Sequence, residues 1–185
     1  MNFMLTKTLR TALTVAAIIA LLPPQARAQG YPFSQRQHIT QNIALTEISI
    51  EYGRPVARGR ELFGKLVPWD TIWHPGADAA TRITFKRDVL LEGQAVKAGT
   101  YSLWLIPRAH APWTFIVSRA ANVSHLDYAG PGKDALRVDI APETQSHLES
   151  MTWQFPIVLR DDGILRFQWG TTSLSIKVKA PYRKD

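Results

Sequence analysis

The chain has 185 residues and no cysteine, which excludes disulfides, thiolate metal sites, cysteine nucleophiles and the lipid-modified cysteine of a bacterial lipoprotein. Its 22 Lys and Arg outweigh 15 Asp and Glu, a formal net charge of +7. Part of that excess sits in an N-terminal leader, and the 157 residues from Gln29 onward carry 19 basic against 15 acidic side chains, too mild a balance to suggest a nucleic-acid partner.

The leader reads as follows. Lys7 and Arg10 form a basic start, and Thr11 to Leu22 is a run of 12 uncharged residues. A membrane-spanning helix needs roughly 20. Pro23 and Pro24 end the run, and Ala26-Arg27-Ala28 fits the small-x-small rule for signal-peptide cleavage. No Arg-Arg pair precedes the run, so a twin-arginine signal is not expected. The expectation is a signal peptide over 1–28, cut after Ala28. A single domain over 29–185 would then be periplasmic or extracellular and not held in the membrane.

Beyond the leader the apolar pattern is period two. Ile48, Ile50 and Tyr52 alternate with Glu47, Ser49 and Glu51, as in a half-buried strand. Ile43 and Leu45 fall on the opposite parity, which a bulge near Thr46 would reconcile. Residues 53–80 show no alternation, and a loop this long is usually functional or holds a short helix. Ile83 and Phe85 open the next strand, and Val89–Glu92 and Gln94–Lys97 flank Gly93 as a hairpin. Tyr101 to Ile106 is apolar on both parities except Ser102, the mark of a central strand covered on both faces. Alternation returns at Trp113, Phe115 and Val117, at Leu136, Val138 and Ile140, and at Met151, Trp153 and Phe155. Asp161-Asp162-Gly163 predicts a hairpin turn, followed by Leu165, Phe167 and Trp169, then Leu174, Ile176 and Val178. Eight or nine strands at this spacing predict an all-β antiparallel sandwich, with one long loop or short helix at about 53–80.

The candidate chemistry gathers in that loop and at its margins. Arg54, Arg58 and Arg60 lie within seven residues, and guanidinium groups take carboxylate or phosphate in a bidentate fork. They read either as an anion site or as partners of Glu51, Glu61, Asp70 and Asp78. Trp69 and Trp73 are four apart and would share a face on a helical turn, as core anchors or as a platform for a sugar. His74 and Asp78 are also four apart, a spacing for a carboxylate-oriented general base or for two ligands of an assisting metal, although Pro75 disfavours helical geometry at His74. His38, His110, His125 and His147 show no ligand spacing, and neither a Gly-x-Ser-x-Gly elbow nor a His-Glu-x-x-His pair is present.

Several of these segments together resemble the DUF2911 family of exported bacterial proteins of unknown function. They are Ile39-Thr40-Gln41-Asn42-Ile43, Tyr52-Gly53-Arg54-Pro55, Arg58-Gly59-Arg60, Leu66-Val67-Pro68, Trp73, Gly76-Ala77, Ala80-Thr81, Ile83-Thr84-Phe85 and Ala98 to Leu103. The resemblance runs from about Ser34 to about Val178. This chain has Gly53, His74 and Asp78 where family members usually have Ser, Arg and Asn. The family has no established activity, so the resemblance implies an identity without a chemistry.

The leading expectation is an exported binding module for a small anionic or carbohydrate ligand, using Tyr52, Arg54, Arg58, Arg60, Trp69 and Trp73. No cofactor and no metal site are expected. The alternatives are a hydrolase using His74 and Asp78, and an envelope protein-interaction module.

Overall fold

The computed structural model describes residues 34–182. The leader reading of residues 1–28 lies outside the described residues. Strand β1 (Gln35–Ile43) and β2 (Thr46–Arg54) form a hairpin, with Gln35 opposite Arg54 and Ile43 opposite Thr46. A two-residue turn, Ala44-Leu45, joins them, and Ala44 takes a left-handed φ of 49°. This turn replaces the bulge expected near Thr46. Ile43 and Ile48 change parity because they belong to different strands, and Leu45 is left exposed at the tip.

The remaining strands are β3 (Arg82–Phe85), β4 (Val89–Leu91), β5 (Gln94–Val96), β6 (Gly99–Ile106), β7 (Trp113–Ser118), β8 (Asp134–Ile140), β9 (Glu143–Val158) and β10 (Asp162–Lys179). One sheet runs β1-β2-β3-β6-β7-β8 and the other β5-β4-β10-β9, with every pairing antiparallel. This is the expected all-β sandwich. The β4–β5 turn falls on Glu92 and Gly93, both at positive φ (48° and 77°), as a tight two-residue hairpin requires.

Period-two alternation decides which face of each strand meets the core. Ile48, Ile50 and Tyr52 of β2, Leu103 and Leu105 of β6, and Phe115 and Val117 of β7 point inward from the first sheet. Met151 and Trp153 of β9 and Leu165, Phe167 and Trp169 of β10 meet them from the second. Trp153 is the hinge of this packing. Its ring lies against Phe115 (centroids 6.4 Å) and Phe167 (5.3 Å), and its backbone N–H donates to the Tyr52 hydroxyl at 2.9 Å. The other face of β6 is covered too. Trp104 joins Ala80 and Ile116 in a second, smaller cluster, with Ile72, Ile106, Val123 and Tyr128 packed on it.

Two features depart from simple alternation. Segments 165–169 and 174–178 belong to one 18-residue strand, which Gly170 bends at φ 58° without ending. The segment 53–80 contains no helix. It is a strap held by isolated bridges, Val56 to Ser150, Phe63 to Val67, Trp73 to Leu105 and Ala79 to Ser124.

Candidate functional site

The strap begins where β2 runs off the end of its sheet. At Gly53 a Cβ would fall on the carbonyl oxygen of Ala77, so only glycine lets the two ends of the strap approach this closely. The strap then crosses to the second sheet. The Met151 N–H donates to the Pro55 carbonyl at 2.9 Å and the Ala57 N–H to the Glu149 carbonyl at 2.8 Å, which extends β9 by a short pairing. Arg58 (φ 54°) and Gly59 (φ 66°) reverse the chain. Trp73 returns it to the first sheet by exchanging both backbone hydrogen bonds with Leu105 at 2.8 Å.

This path separates the three arginines. Arg54 points along β9, its Nε donating to the Met151 carbonyl at 3.0 Å and a terminal nitrogen to the Thr152 hydroxyl at 3.1 Å. These partners are a backbone carbonyl and a hydroxyl, where the sequence suggests Glu51 or Asp78. Glu51 instead pairs with Arg82, whose hydrogen bond holds the carboxyl below its ordinary pKa. Arg58 is exposed, and its backbone N–H donates to the Glu149 carboxylate at 2.6 Å. Arg60 folds back on its own turn and donates to the carbonyls of Ala57 (2.9 Å) and Val56 (2.6 Å). Those bonds engage two of its five N–H donors.

The two strap tryptophans converge, though on no helical face. Phe63 lies 6.3 Å from Trp69 and 6.1 Å from Trp73, and Trp73 stacks on Trp169 with centroids 6.2 Å apart and planes 12° from parallel. Two openings flank this aromatic wall. One, of about 260 Å³, is lined by Ser34, Pro55, Val56, Arg60, Trp73 and Trp169 among others. The second, of about 320 Å³, is lined by Arg60, Phe63, Trp69, His147, Trp169 and Thr172 among others. Arg60 and Trp169 belong to both. The Trp169 side chain is buried, and its indole N–H has no hydrogen-bond partner. Such a donor is costly to leave unmade.

The other candidates lie elsewhere. Tyr52 is fully buried beneath the strap, donating to the Gln37 side chain at 2.6 Å, and burial pushes its phenol pKa up. His74 faces the second, smaller cluster, on the far side of the first sheet from the main core. Its ring is 6.2 Å from Trp104 and 5.4 Å from His125, and its Nε2 is buried without a partner. Burial, with a smaller contribution from His125, lowers its pKa to about 4. Asp78 is exposed, at a left-handed φ of 64°, and no hydrogen bond or ion pair joins it to His74.

Trp169, His147, Thr172 and His125 are absent from the sequence-level candidates. The one local hint was Gly170 in a strand pattern, which often marks a close backbone approach. Here the approach is to Leu62 of the strap.

The profile of one protein family, described as protein of unknown function (DUF2911), matches residues 34–178. The chain belongs to the DUF2911 family. No curated protein and no solved structure matches it. The match spans nearly the whole sandwich, with both openings and the strap. Among the described residues no helix is long and apolar enough to cross a membrane.

Proposed function

We propose that this DUF2911 protein is an exported binding module whose ligand is a sugar-like molecule carrying an anionic group. It would lie across the two openings that share Arg60 and Trp169. The observation that carries this reading is that Arg60 and the stacked Trp73–Trp169 wall line adjoining openings, with the Trp169 indole N–H left without a partner. Arg60 is anchored through Ala57 and Val56, so its remaining donors are held in place at no further entropic cost. Trp69 and Trp73 offer apolar ring surface for a sugar, and the Thr172 hydroxyl and His147 offer polar contacts in the second opening. A hydrolase built on His74 and Asp78 lacks this support, because the dyad does not form.

The test is a thermal-shift comparison of uronic acids with their neutral parent sugars. A ligand at about 100 times its dissociation constant stabilises by about 2.7 kcal/mol. For a domain of this size that raises Tm by roughly 5–10 °C. The acidic sugar should shift Tm, and Arg60→Gln should remove the shift while leaving the unliganded Tm within a few degrees. Equal responses to charged and neutral sugars, or none to either, would overturn the reading.

A further inference from the structure

A second cluster of side chains lies on the opposite face of the first sheet, away from the two openings. His74 leaves the strap one residue after the Trp73–Leu105 bridge, and its ring packs against Trp104. His125 comes from the connection between β7 and β8, which the Ala79–Ser124 bridge ties to the strap. The fold thus brings together two imidazoles 51 positions apart in sequence, with ring centroids 5.4 Å apart and planes tilted by 44°. No hydrogen bond joins the rings, and His74 Nε2 is buried with no partner.

That spacing has a chemical meaning. An ion bound at about 2.0–2.1 Å to one nitrogen of each ring sits about 3.2 Å from each centroid, and a tetrahedral angle then sets the centroids about 5.2 Å apart. The observed separation differs from this by a few tenths of an ångström. The buried His74 Nε2 has no partner within the protein, and an ion shared with the neighbouring imidazole would supply one. Imidazole suits copper, zinc and nickel, and the order of intrinsic affinities places Cu²⁺ first.

We propose that His74 and His125 form a two-histidine site for a divalent late-transition-metal ion, Cu²⁺ most tightly, with solvent completing the coordination. Among the described residues no group of three or more His, Cys, Asp or Glu side chains converges. The protein therefore supplies two ligands and leaves open positions, as exchangeable sites do. His125 is exposed and His74 is buried, so an ion would approach the pair from the His125 side. This site is independent of the Arg60–Trp169 openings.

The experiment is titration of untagged protein with CuCl₂ and, separately, ZnCl₂, read by tryptophan fluorescence and by electron paramagnetic resonance of the copper form. The expected result is saturation at one equivalent, quenching that reports the nearby Trp104, and hyperfine structure from two equatorial nitrogens. His125→Gln should weaken Cu²⁺ binding at least tenfold, and His110→Gln, at an exposed histidine outside the pair, should leave it unchanged. His74→Gln should act like His125→Gln; if it fails to fold, the exposed His125 still carries the test. No saturable binding, or an unaltered titration for folded His125→Gln, would overturn the proposal.

Discussion

His74 makes the protein's stability depend on pH in a way that can be worked out in advance. In the unfolded chain its pKa is near 6.5, and in the fold burial lowers it to about 4. The folded state therefore binds fewer protons than the unfolded state between these values. The stability it protects is fully present above pH 6.5 and is lost as pH falls toward 4. At about 1.4 kcal/mol per pKa unit the whole loss is about 3 kcal/mol, and about 2 kcal/mol of it has gone by pH 5. Urea denaturation between pH 8 and pH 4.5, with EDTA present to exclude metal, measures the curve. Carboxylates titrate over part of the same range, so the informative quantity is the difference between parent and His74→Phe. That variant keeps an aromatic ring against Trp104 and cannot protonate. The parent should lose about 2 kcal/mol more than His74→Phe between pH 7.5 and pH 5. Parallel curves would refute the reasoning, because they would mean that the imidazole is solvated or hydrogen-bonded in the native protein.

Leu103, fully buried on the central strand β6, should cost about 2–5 kcal/mol when replaced by alanine, measured by urea denaturation. Gly53→Ala drives a methyl into the Ala77 carbonyl and should lower stability by about 1–3 kcal/mol, whereas Gly132→Ala, which meets open space, should leave the thermal melt almost unchanged. Arg54→Ala removes the donors to Met151 and Thr152 and should cost about 1–3 kcal/mol without altering ligand response, which separates it from Arg60→Gln. Mass spectrometry of the protein from its native host should find Gln29 as the first residue, and an intact Met1 on the mature chain would contradict export with cleavage.

By itself the sequence determined what depends on one residue and its near neighbours. Alternation at Ile48, Ile50 and Tyr52, the double-sided burial of Tyr101 to Ile106, and the Gly93 hairpin were all legible, because a strand's two faces and a tight turn's φ angles are local properties. Strand β1 was not legible as a strand. Its residues Gln35 to Asn42 carry little apolar signal, and it exists by pairing with β2 along nine residues at the edge of the sheet. The strap was legible only as a place without alternation. Its course is decided by partners far along the chain, Ser150 for Val56 and Leu105 for Trp73. The same holds for the sites. Three arginines spaced within seven residues suggested one cluster, but backbone carbonyls at Met151, Ala57 and Val56 claimed Arg54 and Arg60 separately. Trp169 came to line the same openings as Arg60, and His125 came beside His74, only through strand pairing and chain crossings between distant segments. Spacing in sequence measures proximity along a strand or a turn, whereas the meeting of distant residues is set by the packing of the whole core, which no local pattern encodes.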